Sequence, residues 1–343
     1  MKYVQTVCGP ISPEEMGFTL PHEHIFWDLK VYLPKDLDEN DPDDPRNRKI
    51  CLENLSQIRA KFQHYTHNIT QQDIEVAVRE LEWFREAGGR TICDCTVRGI
   101  HPDAAKAKEA SRRSGVHVVL GTGYYCHNSL TDKENKLDRF QKAEHILHDL
   151  QEGFEGTDVK AGFIKVGVES IHADADRESL AAAAIAQKQT GAAILIHQPG
   201  IEHQSQEIFE VLTANGGDLS RTVMCHCDPL LPDHDYIDAM AKAGAYISFD
   251  FFGLDGVLGK TLFLPTDKDR IFSVLEQIER GNLDKLLFSH DTVYKTMLRQ
   301  FGGYGYAHLQ RDVWPLMLAN GYTQDVLNHI SIENPARVFT MEA

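Results

Sequence analysis

One unit recurs along this chain and constrains its fold more than any other feature: a short apolar run, a polar or glycine-containing turn and, in most cases, a helical stretch. Runs that are apolar throughout are typical of strands buried on both faces, which indicates a parallel sheet. Eight such runs are found, at 18–26, 91–97, 117–125, 162–169, 192–199, 222–229, 245–252 and 286–293. Eight strand–helix units in 343 residues predict an α/β fold, a (β/α)8 TIM barrel that comprises the whole chain, 1–343, as a single domain.

An open, doubly wound sheet is the main alternative for alternating strands and helices. That fold carries a glycine-rich turn after its first strand, where the phosphates of a dinucleotide bind. The first predicted strand of this chain is followed by no such turn. The closed barrel is therefore the preferred interpretation.

The helices between the strands can be placed from their caps and apolar faces. Thr70 and Asp73 resemble a capping box, with Asp in place of the usual Glu, and Gly88-Gly89 ends the same helix. The apolar face of this helix is formed by Ile74, Val78, Leu81 and Phe84. Helices are also predicted at 177–190 and 267–280, each directly before a glycine and the next strand.

Three segments, 28–68, 128–157 and 294–309, are longer than a barrel needs. All three follow predicted strands, and such loops lie at the face of a barrel where active sites are built. The first is rich in Asp, Pro and Asn before it becomes helical, the second carries one helix, and the third has glycines among aromatic residues. We expect these segments to cover a pocket.

Charge and cysteine content limit the partners and the compartment. The 51 acidic and 35 basic residues give a net charge of −16, which repels nucleic acid and anionic lipid, so neither is expected as a partner. Seven cysteines, an odd number, do not make a disulfide scaffold. No apolar run is long enough to span a membrane, and residues 1–8 lack the apolar core of a signal peptide. We therefore expect a cytoplasmic protein that acts on a small molecule.

Candidate metal ligands stand at the C-terminal ends of the predicted strands. They are His22 and His24 on strand one, Lys165 in strand four, His197 on strand five, His226 on strand six and Asp291 on strand eight. His22 and His24 are two residues apart, so both side chains should face the barrel interior. A single histidine at a strand end is most often structural, but four imidazoles and a carboxylate at one rim form a divalent-metal site. Five ligands exceed the needs of one tetrahedral ion, which indicates two ions.

Lys165 lies inside an apolar strand, where an unpaired ammonium group is costly. Burial and nearby cations lower the pKa of a lysine and favour its neutral amine. A neutral amine can react with carbon dioxide to form a carbamate, which is an anion able to bridge two metal ions. We therefore predict that Lys165 is carboxylated on its side-chain nitrogen (N6-carboxylated).

Four cysteines suggest a different metal site, because Cys93 with Cys95 and Cys225 with Cys227 could supply four thiolates to zinc. Side chains alternate along a strand, so if His226 points inward, Cys225 and Cys227 should face the helices. Cysteine behaves there as a small hydrophobic residue. A zinc–thiolate site is therefore not expected.

As a set, these motifs resemble the phosphotriesterase-like family of the amidohydrolase superfamily. Members of that family are binuclear metal-dependent (β/α)8 hydrolases and include lactonases and organophosphate hydrolases. The resemblance extends over nearly the whole chain and is specific because the motifs occur in the family's order. These motifs are Thr19-Leu-Pro-His22-Glu-His24, Gly121-Thr-Gly-Tyr-Tyr125, Lys165, His197, His226, Ser289-His-Asp291 and Asn334-Pro-Ala-Arg-Val-Phe339.

The resemblance also implies the roles of the ligands. The more buried ion would be held by His22, His24 and Asp291. The more exposed ion would be held by His197 and His226, and carboxylated Lys165 would bridge the two. Zn2+ is the expected metal, with Mn2+, Co2+ and Fe2+ as alternatives. A hydroxide shared by the ions would be the nucleophile, and Asp291 would take its proton and pass it to the leaving group.

Further residues match family positions or stand close to them. Tyr125 corresponds to a tyrosine that reaches toward the metal bridge and is predicted to be catalytic, with an ordinary rim aromatic as the alternative. Asp94 and Thr96 match an Asp-x-Thr pair on strand two and should support the ligands. Arg98 and His101 are interpreted as solvated loop residues, with contact to an anionic substrate group as the alternative. The resemblance also suggests a homodimer.

Two features depart from the family pattern. The lactonase branch commonly has Asp-Arg-aromatic-Gly after strand seven, whereas this chain has Asp250-Phe-Phe-Gly253 with Phe251 in place of the arginine. Hydrolysis of long-chain homoserine lactones is therefore not expected. The loop after strand eight, with Tyr304, Tyr306 and His308, differs in length from that of efficient organophosphate hydrolases.

The predicted function is a binuclear metal-dependent hydrolase that cleaves a lactone, a carboxylic ester or an amide, with incidental phosphotriesterase activity. One alternative is a mononuclear deaminase of the same superfamily, but no Glu stands three residues after His226, and Lys165 would have no role. Another alternative is a non-catalytic metal-binding barrel. Metal content per chain and activity on a broad substrate panel separate the three.

Overall fold

The structure is a computed structural model that describes residues 2–231, 233–258 and 262–342. Eight parallel strands form one sheet in which each strand pairs with its neighbour in chain order. They are β1 (Thr19–Glu23), β2 (Thr91–Asp94), β3 (His117–Tyr124), β4 (Phe163–Gly167), β5 (Ile194–His197), β6 (Thr222–Cys225), β7 (Tyr246–Phe249) and β8 (Leu286–Phe288). The His22 backbone nitrogen in β1 donates to the Ser289 hydroxyl oxygen after β8 at 3.1 Å. This contact joins the first strand to the last, and the fold is a (β/α)8 TIM barrel, as the sequence predicts.

Helices cover the outside of the barrel. Those of nine or more residues in the described part of the chain are α1 (Ile74–Glu86), α2 (Ala104–Ser114), α3 (Arg139–Gln151), α4 (Asp174–Thr190), α5 (Ser205–Ala214), α6 (His234–Lys242) and α7 (Asp267–Glu279). Shorter α-helices lie at Leu55–Ala60, Asp132–Asn135, Trp314–Ala319, Gln324–Asn328 and Asn334–Phe339. The helices predicted at 177–190 and 267–280 are thus confirmed as α4 and α7.

In the described part of the chain, three small sheets lie apart from the barrel sheet. Lys2–Thr6 pairs with Gly9–Ile11 and with Met341–Glu342, and Val4 of this sheet packs into the barrel interior from its N-terminal end. The other two pairs are antiparallel, Trp27–Asp28 with Thr70–Gln71 and Gly256–Leu258 with Leu262–Leu264. Both of these pairs belong to segments that follow barrel strands.

The predicted start of α1 is wrong by three residues. Thr70 lies in a small sheet, where it pairs with Asp28, so it cannot begin the helix. The N-cap is Asp73, whose side chain accepts a hydrogen bond from the Glu75 backbone nitrogen at 2.9 Å. The predicted apolar face is present, since Leu81 and Phe84 are fully buried against the barrel.

The apolar residues form two layers. Alternate strand residues such as Val119, Leu195 and Val223 fill the barrel interior, and the remaining ones, such as Val166 and Ile196, pack beneath the helices. The strands of the structure end earlier than the sequence predicts, because the polar residues that follow them turn into the mouth of the barrel. Among the described residues, no helix has the length and apolarity needed to cross a membrane.

Candidate metal centre

His22, His24 and Asp291 meet at the C-terminal mouth of the barrel. The Oδ1 atom of Asp291 lies 3.3 Å from His22 Nε2 and 3.1 Å from His24 Nε2. This oxygen is buried and has no hydrogen-bond partner of good geometry. A buried carboxylate oxygen that faces two imidazole nitrogens without a satisfying hydrogen bond is explained by a cation between them. These three residues therefore have the donor atoms and the placement of a divalent-metal site.

His197 and His226 form a second pair beside the first group. His226 Nε2 lies 2.7 Å from His197 Nδ1, and the His226 ring centre is 4.9 Å from that of His22. Burial lowers the pKa of His197 well below its ordinary value, and the charges of His226 and Lys165 lower it further. Burial and Lys165 likewise lower the pKa of His22 to about 4. Both rings are thus neutral at neutral pH, the form in which histidine binds metals.

Two of the candidate ligands have unusual backbone conformations. His226 has φ of 59° and Asp291 has φ of 50°, both in the left-handed region that residues other than glycine rarely adopt. β6 ends at Cys225 and β8 at Phe288, so each ligand lies just beyond its strand. The positive φ turns each side chain back into the barrel mouth. Such local strain is typical of functional sites.

Asp250 orients two of the histidines. Its Oδ2 accepts a hydrogen bond from His22 Nδ1 at 2.8 Å, and its Oδ1 accepts one from His226 Nδ1 at 2.8 Å. Because Nδ1 carries the proton in both rings, the Nε2 lone pairs are directed into the centre. Sequence analysis missed this role, although Asp250 stands at the end of β7, on the same rim as the ligands.

Asp94 and Thr96 lie on one side of the centre, as predicted from their spacing, but only one of them contacts a candidate ligand. The Thr96 hydroxyl lies 2.8 Å from His24 Nδ1. Asp94 accepts hydrogen bonds from the backbone nitrogens of Thr96 at 2.9 Å and Ile25 at 3.3 Å. Asp94 therefore positions the backbone that carries the threonine, whereas the threonine positions the ring.

Lys165 points into the barrel interior directly beneath the histidines. Its Nζ lies 3.2 Å from His22 Nε2 and 3.4 Å from the Cys225 Sγ. Burial lowers the pKa of Lys165, but the surrounding thiols and carboxylates outweigh burial, so the protein groups alone raise it. The protein groups alone therefore do not produce the lowered pKa that the sequence analysis expects for Lys165.

The expected direction of Cys225 is wrong. Cys225 pairs with His197 in the sheet, belongs to the apolar cluster of the barrel interior and contacts Lys165. Strict alternation fails because the strand ends at Cys225 and the positive φ of His226 brings two successive side chains inward. Cys227 does face the helices, as expected. Among the described residues, no group of cysteines has the geometry of a metal site.

A cavity of about 320 Å³ opens above the centre. Its floor is formed by His22, His24, His197, His226 and Asp291. Tyr125 lines the cavity, and its hydroxyl lies 3.4 Å from His197 Nδ1. Leu29, Tyr32 and Gln63 also line it, so the segment 28–68 forms part of the wall. The structure therefore brings every predicted site residue to one place, with Lys165 below the floor and Tyr125 beside it.

The donor set of this centre fits divalent metal ions, because imidazole nitrogens and a carboxylate oxygen converge on one enclosed point. The model of the phosphotriesterase family matches residues 2–339. The chain belongs to the phosphotriesterase family. As a member, it is a metal-dependent hydrolase, and its candidate metal centre lies at the mouth of the barrel.

Two relatives within the phosphotriesterase family cover nearly the full chain. A phosphotriesterase-related protein of Nematostella vectensis is 33% identical over 98% of both chains. The human protein named N-acetyltaurine hydrolase is 32% identical over 99% of this chain and 98% of its own. Among solved structures, a resiniferatoxin-binding protein from Rhodobacter sphaeroides is 33% identical, with a TM-score of 0.91 over 98% of this chain and 94% of that one.

The sequence left the roles of Arg98 and His101 open. Neither residue is among those that line the cavity. Arg98 forms an ion pair with Asp149 at 2.8 Å and donates to the Thr122 hydroxyl at 3.1 Å, so it is held in a structural network. His101 is exposed. Of the residues named in the loop after β8, His308 bridges Asp267 at 2.7 Å and Asp312 at 2.8 Å and thereby ties this loop to α7.

Proposed function

We propose that this chain hydrolyses the amide bond of a small N-acyl amine, with two divalent ions, Zn2+ by first choice, at the centre described above. The observation that carries this proposal is the match, at 32% identity and nearly full coverage, to a relative named N-acetyltaurine hydrolase. The geometry supports it, because the candidate ligands surround one cavity large enough for a small substrate.

The metal ions and the side chains of the centre have separate roles in amide cleavage. Metal ions, when bound, would supply Lewis acidity toward the carbonyl oxygen and activate water at neutral pH. Burial alone raises the pKa of Asp291, but the surrounding His22, His24 and His226 outweigh burial and hold it well below its ordinary value. Asp291 is therefore a carboxylate at neutral pH and can take a proton from water. It then gives this proton to the nitrogen of the leaving amine.

The remaining residues hold this arrangement in place. Asp250 and Thr96 fix the rings of His22, His226 and His24 through their Nδ1 atoms. Burial raises the pKa of the Tyr125 hydroxyl well above its ordinary value, so it remains a proton donor beside His197. Lys165, which is buried below the floor of the cavity, would serve in its carboxylated form as an anion shared by both ions.

Hydrolysis of an amide is favoured over hydrolysis of a long-chain lactone. Phe251, which stands where the lactonase branch commonly has arginine, stacks on the candidate ligand His226 with ring centres 4.7 Å apart and an interplanar angle of 25°. The polar group that the arginine would provide is thus replaced by an apolar ring against the metal site. Lactones and esters are nevertheless included among the substrates to be tested.

The test is a substrate panel with the purified, metal-loaded protein. The panel contains N-acetyl derivatives of small amines and amino acids, together with lactones, carboxylic esters and a phosphotriester. We expect the highest kcat/KM on N-acetyl amines, and about two metal ions per chain. Inertness on every amide, with turnover of lactones or esters, would contradict the amidase proposal. A content of one ion per chain would contradict the binuclear centre.

The same assay with the Lys165→Ala variant tests whether Lys165 bridges the two metal ions. We expect it to lose most of its metal and activity, and a small carboxylic acid such as formate to restore part of both by occupying the space of the missing carbamate. Lys160→Ala, which removes a half-buried lysine close to β4, is the matched control and should retain full metal content. Unchanged metal content in Lys165→Ala would rule out the carbamate bridge.

A further inference from the structure

We propose that the segment 28–68, together with Tyr294, builds a subsite that receives an oxyanionic group, a sulfonate or a carboxylate, on the amine half of the substrate. This inference rests on the proposed amide hydrolysis and adds the residues that select the substrate. The wall concerned, here called the phenol wall, consists of Tyr32, Gln63 and Tyr294, all of which line the cavity above the metal centre.

The hydrogen bonds within the phenol wall leave its donors free. The Gln63 amide nitrogen donates to the Tyr294 hydroxyl oxygen at 3.1 Å, so the Tyr294 proton is available to a ligand. Tyr32 lines the same cavity, and its hydroxyl is a further donor on this wall. The second amide proton of Gln63 adds a third donor. A wall that offers donors fits a group that carries only acceptors, such as a sulfonate or a carboxylate.

Another part of the cavity lining is apolar. Phe251, Leu254 and Leu262 line the cavity there, and they pack with Leu264 of the antiparallel pair that follows β7. Phe251 stacks on His226, whereas Tyr125 contacts His197. A cavity with one apolar and one donor-rich wall can bind the two halves of an N-acyl amine separately, the acyl methyl on the first and the polar amine half on the second.

Recognition at this wall depends on neutral groups. No lysine or arginine occurs among the described residues that line the cavity. Burial raises the pKa of Tyr32 and of Tyr294 well above its ordinary value, so both phenols keep their protons over the physiological range. Glu169 also lines the cavity, its side chain is exposed, and its charge is one of the causes that raise the pKa of Tyr32. Hydrogen bonds from neutral donors to an ionised acceptor are stronger than those between neutral groups.

The experiment compares three substrates that share an acetyl group and differ in the amine half: a two-carbon sulfonate, a two-carbon carboxylate and uncharged propylamine. We expect Tyr294→Phe to raise KM for the sulfonate and the carboxylate about tenfold, with little change in kcat, and to leave KM for the propyl amide unchanged. Tyr32→Phe should act in the same direction. Tyr65→Phe is the matched control, because Tyr65 lies in the same segment and does not line the cavity.

The outcomes separate this inference from the proposed function. Equal changes of KM for all three amides, or none for the two anionic amides, would overturn the phenol wall as a subsite while leaving amide hydrolysis intact. If no amide is cleaved, the proposed function fails, and calorimetric titration of the acetylated aminosulfonate then measures binding directly. Binding that is tight in the unsubstituted protein and about tenfold weaker in Tyr294→Phe supports the subsite; equal affinity in the two overturns it.

Discussion

Asp250 contacts two of the histidines of the metal centre at once. One of its oxygens holds His22 and the other holds His226, each through a 2.8 Å hydrogen bond to Nδ1. The backbone nitrogen of Asp250 in turn donates to Asp228 at 3.0 Å, and Asp228 pairs with the buried Arg270. The orientation of two rings is thus fixed by a network that extends from the centre to α7.

Removing these orienting contacts should weaken metal binding without unfolding the barrel. We expect Asp250→Asn to lower metal affinity about 10- to 100-fold, since one amide oxygen cannot accept from both rings. Thr96→Val, which affects only His24, should cause a smaller loss. Thr19→Val is a control of the same kind on β1, where the hydroxyl bonds the Gly17 carbonyl oxygen. Metal titration under a competing chelator measures all three, and unchanged affinity in Asp250→Asn would contradict the orienting role.

At the scale of single elements, α1 is tied to the loop after β8 through a buried carboxylate. Glu80 is buried and accepts hydrogen bonds from the backbone nitrogens of Arg299 at 3.1 Å and Gln300 at 2.7 Å. Burial outweighs these bonds and raises the pKa of Glu80 from 4.5 to about 7. The folded protein therefore holds a proton that the unfolded chain releases more readily.

This shift predicts a pH dependence of stability. The stabilising effect of protonated Glu80 is complete below pH 4.5 and is lost as the pH rises to about 7, because the unfolded chain ionises first. The shift corresponds to roughly 3 kcal/mol in the free energy of unfolding. Glu80→Gln cannot ionise, so its stability relative to the unsubstituted protein should increase by about this amount between pH 4.5 and 7.5. Thermal unfolding measured across this pH range tests this prediction, and Glu86→Gln, at an exposed position of the same helix, is the control. If stability changes with pH in the same way in Glu80→Gln and in the unsubstituted protein, the pKa shift of Glu80 is contradicted.

At the scale of the whole molecule, Glu23 joins the first and last strands. Its Oε1 accepts from the Ser289 hydroxyl, the His290 backbone nitrogen and His290 Nδ1, each at 2.8 Å, and its Oε2 accepts from the Thr292 backbone nitrogen at 2.9 Å. Glu23 is fully buried. The carboxylate therefore satisfies four donors at the seam where the barrel closes.

Glu23→Gln should destabilise the barrel by about 3 kcal/mol, because an amide nitrogen would face backbone and side-chain donors that the carboxylate now satisfies. The midpoint of chemical unfolding should shift to lower denaturant concentration. Glu53→Gln, an exposed position in the segment 28–68, should leave the midpoint in place. An unchanged midpoint in Glu23→Gln would show that the seam is held by other contacts.

Sequence by itself determined the barrel and the identity of the candidate ligands. Eight continuous apolar runs leave few arrangements other than a closed parallel sheet, and the polar residues directly after them must then gather at one rim. Position along a strand fixes position in the barrel, and for this reason the sequence could name His22, His24, His197, His226 and Asp291. Lys165 could be named because an unpaired ammonium group inside an apolar strand is costly.

Only the tertiary structure decided how those side chains are held and what faces the substrate. The inward direction of Cys225 depends on the backbone conformation of His226, which strand alternation does not describe. The roles of Asp250 and Glu23 depend on hydrogen bonds between strands that are far apart in the chain. The placement of Tyr32 and Gln63 depends on how an irregular segment packs, and such packing follows from contacts rather than from any local period.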